Sequence, residues 1–327
     1  MVLLVISAIG MALMALAGGW VTLAFAAIVS GVPQGWGNPA TNALIAERVP
    51  ADEQGAVTGV KQSGVQFGIF LSGFTLPGLA LAFGWRVALW GFAAVFAMFA
   101  MLVARGFTPT TTDSKAATTA AVDSADAQPL PRLIWIISLY AFLYGTAGGA
   151  IGRFFPLWAN EVVGVSTVEA GALVAFGGLL GIVARIIAGR VAQERIGPAR
   201  LLSVLASIGA LYCVALLVTT AIGSWILWPA TIFFAVGVGA WNAVAMLAVI
   251  VSVPKATAGR ASGVVAFGFL GGLTVGSPIT GVVVDRWDTY QPIWLAALVL
   301  SLISAVVVSE RFTGTADAAG TVDAASP

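Results

Sequence analysis

Histidine is absent from this 327-residue chain, cysteine occurs once, and Asp, Glu, Lys and Arg together supply only 9% of the residues. Each shortage removes a class of protein. Without His, the commonest metal ligand and general base is gone. One cysteine, Cys213, set in an apolar run, permits neither an internal disulfide nor a thiolate metal cluster. The net charge of +1 comes without any basic block, so no nucleic-acid partner is expected. No Lys or Arg precedes the first apolar run, which therefore does not read as a secretory signal peptide. The scarcity of charge reaches furthest. Soluble domains carry roughly 25% charged residues because a water-facing surface must be polar. Here 59% of the residues are hydrophobic and the mean hydropathy is +1.00, so lipid is the solvent that suits most of the outer surface. Eleven Trp and eighteen Phe fit interfacial belts and large apolar faces.

What is present is a series of apolar runs. A helix needs roughly 20 mostly apolar residues to cross the hydrocarbon core. Such runs fall at 1–17, 21–45, 57–82, 87–104, 133–157, 167–189, 199–219, 224–250, 260–284 and 291–308. The expected fold class is therefore an all-α membrane protein of about ten transmembrane helices. Between the fourth and fifth runs lies GFTPTTTDSKAATTAAVDSADAQPLP, too polar to bury a core and read as a linker. The domain expectation is a four-span bundle over 1–105, a cytoplasmic linker over 106–131, a six-span bundle over 132–312 and a disordered tail over 313–327. With the 46–56 segment placed inside, twelve of the fifteen Lys and Arg fall on the cytoplasmic side. Only Arg86, Arg153 and Arg286 fall outside. That asymmetry predicts both termini in the cytoplasm, with the chain in the cell membrane.

An internal repeat refines the architecture. Shifted by 204 positions, Asn38 falls on Asn242, Pro50 on Pro254, Gly55 on Gly259 and Gly59 on Gly263. Gly64 falls on Gly268, Gly68 on Gly272 and Trp90 on Trp294. Glycines at such spacings let helix backbones approach, the packing that membrane helices use. The matched runs cross the bilayer in the same sense, so the repeat is parallel. The second half begins near Leu133, which places the start of its counterpart about 70 residues before Met1. The expectation is a truncated or mis-started form of a twelve-span protein, lacking its first two spans.

At these residues the chain resembles bacterial transporters of the major facilitator superfamily, from that family's third span to its twelfth. GNPATNALIAERVP, GVKQSGVQFGIFLSG and GWR at 84–86 resemble the fourth and fifth spans. GRVAQERIGPAR at 189–200 resembles a Gly- and Arg-rich cytoplasmic loop, and GSPITGVVVDRWDTYQPIW the end of the eleventh span. There are departures. Ala27 stands where an Arg often precedes the glycines of the fourth span, and the loop carries one residue more than expected before its Glu194–Arg195 pair.

The resemblance implies a monomeric carrier without cofactor or metal, not an enzyme. It would work by alternating access on a small-molecule substrate, with a proton or other ion as possible coupling partner. It also implies a central cavity. Candidate cavity residues are Gln34, Asn38 and Asn42, spaced by four and so on one helix face. Lys61, Gln62, Gln66, Tyr140, Tyr144, Arg153, Trp241 and Asn242 join them. Polar groups inside spans face a cavity or a partner helix, so helix–helix hydrogen bonding is the competing role for each amide. Snorkelling to the interface competes for Lys61 and for Arg153, and plain packing for the aromatics. A cytoplasmic gate loop is expected from Arg185, Gly189, Arg190, Glu194 and Arg195, with charge anchoring as the alternative. All acids map to loops or helix ends. Lys61 and Arg153 read as the deep cations, which points to a small organic anion or polar metabolite. Multidrug efflux and a non-functional fragment are the alternatives. A five-plus-five carrier would need an inverted repeat, and a membrane enzyme an intramembrane His, Cys or acid cluster. GTAGGAIG and GGLTVGSP lack the Lys and the strand that a phosphate loop requires.

Overall fold

A computed structural model describes residues 1–106 and 129–309. The expected linker and tail lie outside these residues, apart from Gly106 and residues 129–131. Among the described residues ten helical segments follow one another: α1 Val2–Leu16, α2 Trp20–Arg48, α3 Gln54–Phe83, α4 Trp85–Gly106, α5 Arg132–Glu161, α6 Thr167–Val191, α7 Pro198–Ile222, α8 Ser224–Ser252, α9 Lys255–Trp287 and α10 Gln291–Val307. No strand occurs among the described residues. Seven helices are long and apolar enough to cross a membrane, α3 to α9. α2 matches them in length at 29 residues, but Pro33, Gln34, Asn38, Pro39 and Asn42 dilute its apolar character. α1, with 15 residues, rises only about 22 Å at 1.5 Å per residue.

The chain's punctuation explains where these helices stop. Gly84, Gly197 and Gly223 take positive φ, which lets the chain reverse between helices without Cβ strain. The Ser166 hydroxyl accepts from the Glu169 amide at 3.1 Å and caps α6, and Pro198 opens α7, where its missing N–H costs nothing. At the other end of α5, the Tyr290 hydroxyl donates to Glu161 at 2.7 Å. Burial, then the carboxylate beside it, pushes this phenol up to about 12 from its usual 10.0. A raised folded-state value means that the tie contributes below pH 10 and is lost as pH rises toward 12.

The offset of 204 is written into the helix ends. Added to the bounds of α2, it gives the bounds of α8. Added to those of α3, it gives Ala258–Trp287, the α-helical body of α9. Symmetry-equivalent side chains also meet. The Asn42 amide lies 3.0 Å from the Met246 sulfur, so this pair sits where a two-fold axis relating the halves would run. α3 packs along α6, α5 along α9, and α2 against α9. Two apolar cores, built around Tyr140, Trp241 and Met246 and around Trp158, Trp294 and Leu216, hold α5 to α10 together.

Contact across the axis leads to one expected result. In a Cys213→Ser background, Asn42→Cys with Met246→Cys is expected to react with a short bifunctional thiol reagent and to join fragments cut in the linker. Fragments that still separate on a denaturing gel would refute this pairing.

Candidate functional site

The residues that converge at the centre of the bundle do so because of a break in α8. Phe234–Gly239 winds as a π segment, a geometry that leaves backbone groups without their usual partners and recurs at functional sites. The carbonyl of Gly239 accepts twice from side chains: from Arg185 Nε at 2.6 Å and from Gln66 Nε2 at 3.0 Å. Arg185 also donates through Nη1 to the carbonyl of Gln62, at 2.6 Å. One guanidinium from α6 therefore ties α3 to α8. It is 5% exposed, and among the described residues no carboxylate meets it.

Above this junction lies a cavity of about 520 Å³. Its polar lining includes Asn38 from α2, Gln62 and Gln66 from α3, Arg185 from α6 and Asn242 from α8. Its apolar lining includes Tyr144, Phe234, Trp241 and Phe269. The aromatic wall is itself braced. Trp241 stands 4.9 Å from Phe269 and 5.9 Å from Tyr144 between ring centroids. Tyr144 in turn stacks on Tyr140 at 5.3 Å.

A second polar cluster lies next to the cavity. Lys61 Nζ donates to Asn38 Oδ1 at 3.0 Å and to Asn42 Oδ1 at 2.6 Å, and Gln62 Nε2 donates to Asn38 Oδ1 at 3.0 Å. Asn42, fully buried, donates onward to Ser262 Oγ on α9 at 3.0 Å. The cluster joins α2, α3, α8 and α9. Replacing Lys61 with Met removes the donor from both amide oxygens, a loss of about 1.5–3 kcal/mol per charge-assisted bond. Faster thiol labelling of Ser262→Cys (Cys213→Ser background) is the expected result in the Lys61→Met variant. Unchanged labelling would take Lys61 out of this cluster's energetics.

The bundle is closed at the end that carries the α2–α3 connection, where Ile45 and Ala46 of α2 pack on Ile250 of α8 and Ala258 of α9. Gln193, in the π turn Ala192–Ile196 that continues α6, accepts from the Gly55 amide at 2.5 Å and donates to the Ala51 carbonyl at 2.7 Å. It thereby satisfies an orphan amide at the start of α3. Beneath it α3 and α6 touch backbone to backbone. A Cβ at Gly59 would lie 2.9 Å from the Arg185 carbonyl oxygen, and one at Gly189 would collide with the carbonyl of Gly55.

The structure thus brings Asn38, Gln62, Gln66, Tyr144, Trp241 and Asn242 to the cavity. Other candidates stand elsewhere. Asn42 and Lys61 belong to the adjoining cluster. Tyr140 is sealed beneath the wall, its hydroxyl 3.3 Å from the Leu202 carbonyl. Arg153 is exposed on α5. Gln34 lies on α2, and its side chain is outside the described set. Arg185 corrects the expected gate loop: it stands inside α6 with its side chain in the core, not with Arg190, Glu194 and Arg195, which are exposed at the helix end and its π turn. Gly189 belongs to the α3–α6 seam. The deep cation of the cavity is accordingly Arg185 and not Arg153. Sequence reasoning missed Gln193, Ser262 and the Gly239 carbonyl. Only the glycine pair 237/239 within an apolar run hinted at the last of these.

Helices of membrane length around a central polar cavity define a multi-span membrane protein built like a carrier. The chain belongs to the Major Facilitator Superfamily, whose family profile matches residues 1–274. Among solved structures, a Major Facilitator Superfamily transporter, FucP, in the outward conformation is similar at a TM-score of 0.64 and 15% identity. That match covers 95% of this chain and 81% of the other. The human organic anion transporter MFSD10 (TETRAN) is similar at a TM-score of 0.70 and 15% identity, covering 94% and 76%. A structure of the E. coli fucose:proton symporter FucP gives 0.62 at 15% identity, covering 95% and 82%. At this identity the likeness is one of fold. No curated protein sequence matches.

Proposed function

We propose that this chain carries a small organic anion across the membrane by alternating access, with Arg185 as the group that receives the anion. The observation that carries the reading is a buried guanidinium that lines a cavity and has backbone carbonyls, but no carboxylate among the described residues, for partners. A buried cation without a counter-ion costs several kcal/mol, which an anionic ligand offsets. Arginine's planar fork suits a carboxylate. The cavity's volume of about 520 Å³ lies within the roughly 300–1,000 Å³ of small-molecule sites, and its mixed aromatic and polar lining is what such sites use. The human organic anion transporter that shares this fold agrees with the charge of the site. The sugar symporter shares the fold too, at TM-scores of 0.64 and 0.62 against 0.70, so the guanidinium and not the fold decides the reading.

The positive-inside count supports placing the α2–α3 connection, and with it the closed end, in the cytoplasm. Both termini then face the cytoplasm of a plasma or inner membrane. The helices before and after the linker would act as the two rocking bodies of a monomer. Thermal stabilisation of the detergent-purified chain tests the reading. Monocarboxylates and dicarboxylates are expected to raise the unfolding temperature, while neutral sugars and lipophilic cations are not. Stabilisation by lipophilic cations alone would favour multidrug efflux and overturn the reading.

A further inference from the structure

Two buried amide oxygens at the cavity have no partner. Gln66 Oε1 and Asn242 Oδ1 are both enclosed and accept no hydrogen bond, on residues 1% and 7% exposed. Both residues line the cavity. A buried acceptor left empty costs about 1–3 kcal/mol. The orientation of the Gln66 amide is fixed, because its Nε2 donates to the Gly239 carbonyl. Turning it over would set oxygen against oxygen. Gln66 Oε1 therefore asks for a donor, and no group among the described residues supplies one.

The donor that fits is defined by what lies beside it. Gln66 Nε2 and Arg185 Nε reach the same carbonyl oxygen, so the empty acceptor and the guanidinium are neighbours. A cationic donor such as an ammonium would be repelled there. A hydroxyl carries no charge and both donates and accepts. Next to these polar groups stand Tyr144, Trp241 and Phe269, which favour a flat apolar body.

Building on the anion reading above, we infer that the substrate is a hydroxy acid with an aromatic or bulky apolar tail. Its carboxylate meets Arg185, its hydroxyl donates to Gln66 Oε1, and its tail lies on the Trp241 wall. The Asn242 amide, whose Oδ1 is likewise unpartnered and which no hydrogen bond among the described residues holds in one orientation, turns to donate its Nδ2 to a carboxylate oxygen of the same ligand. A water can hold the Gln66 acceptor in the resting site, and a hydroxyl reproduces its bond when it displaces that water. An acid without the hydroxyl does not. Sites that hydrogen-bond a substrate hydroxyl reject the analogue lacking it far more strongly than apolar pockets reject a missing methylene.

The test compares three compounds of one skeleton: 3-phenyllactate, 3-phenylpropionate and phenylalanine, as ligands of the purified full chain by isothermal calorimetry. The expected result is that 3-phenyllactate binds at least about tenfold more tightly than 3-phenylpropionate, with its two enantiomers distinguishable and phenylalanine weakest. In Gln66→Leu the ratio of the two acids is expected to fall to near one. The wild-type comparison stands without any variant, so a poorly folding Gln66→Leu leaves the test intact. Equal affinity for the two acids in the wild type overturns the hydroxyl assignment while leaving the anion reading in place. Tighter binding of phenylalanine overturns the hydroxyl in favour of an ammonium. Binding of a neutral analogue, 3-phenylpropane-1,2-diol, with no binding of either acid overturns the anion reading itself, and this inference with it.

Discussion

Arg185→Gln is expected to weaken the binding of any organic anion that stabilises the wild-type chain by roughly a hundredfold. A charge-assisted bond is worth about 1.5–3 kcal/mol, and each 1.4 kcal/mol is a factor of ten. Loss of the charge itself adds to this in an enclosed site. Arg185→Lys is expected to recover part of the loss, because it keeps the charge but gives up the planar fork. The readout is calorimetric affinity, with thermal unfolding of the ligand-free variants as a control. The control matters because Arg185 also bridges the Gln62 and Gly239 carbonyls, so truncation removes a tie between α3 and α8. A purely structural role would lower the unfolding temperature of Arg185→Gln and Arg185→Lys together. It would leave the affinity of the folded fraction unchanged.

The second large effect is expected at Gly189. A side chain there meets the Gly55 carbonyl, and main chain cannot yield as a flexible side chain can. Overpacking of this kind costs about 1–3 kcal/mol or more. Here it falls on the contact that closes one end of the bundle, together with the Gln193 tie. Gly189→Leu is therefore expected to abolish transport while the chain still inserts and still binds its ligand, because the closed state becomes inaccessible. Gly189→Ala is expected to be intermediate. Uptake into vesicles beside ligand binding in detergent separates the two effects. Normal uptake by Gly189→Leu would show that this end does not close as described.

How much of this was legible in the sequence differs by level. The helices were, because lipid demands long apolar runs and punishes any break with unpaired backbone. The expected runs and the observed helices differ mainly at their ends. The repeat was legible as well, since the offset that aligned Asn38 with Asn242 also aligns the ends of α2 with α8. Environment was not. Gly64 and Gly68 match Gly268 and Gly272 in sequence, and all four read as close-packing positions. Yet a Cβ at Gly64 or Gly68 would meet nothing within 4 Å, whereas one at Gly268 or Gly272 would strike the backbone of α5. α3 has no such neighbour at these two positions among the described residues.

The site shows the same division. Asn38, Gln62, Gln66 and Asn242 were readable as polar residues inside spans, where desolvation makes each one costly. Arg185 was misplaced because its nearness to Arg190 and Arg195 in sequence suggested one basic cluster. Along a helix, five residues turn a side chain well away from its neighbour and raise it about 7.5 Å. That separation puts Arg185 in the core, while Arg190 stays exposed. No periodicity announced that the π segment Phe234–Gly239 would free a carbonyl for it.

A carrier whose buried arginine receives the anion loses transport when that arginine is replaced. Uptake of radiolabelled 3-phenyllactate into vesicles reconstituted with the wild-type chain or with Arg185→Gln tests it most directly. Uptake by the wild type is expected to be saturable, competed away by other carboxylates and unchanged by neutral sugars. Uptake by Arg185→Gln at the same protein content is expected to be near background. Equal saturable uptake by the two proteins, or uptake blocked by a neutral sugar and not by carboxylates, would contradict it.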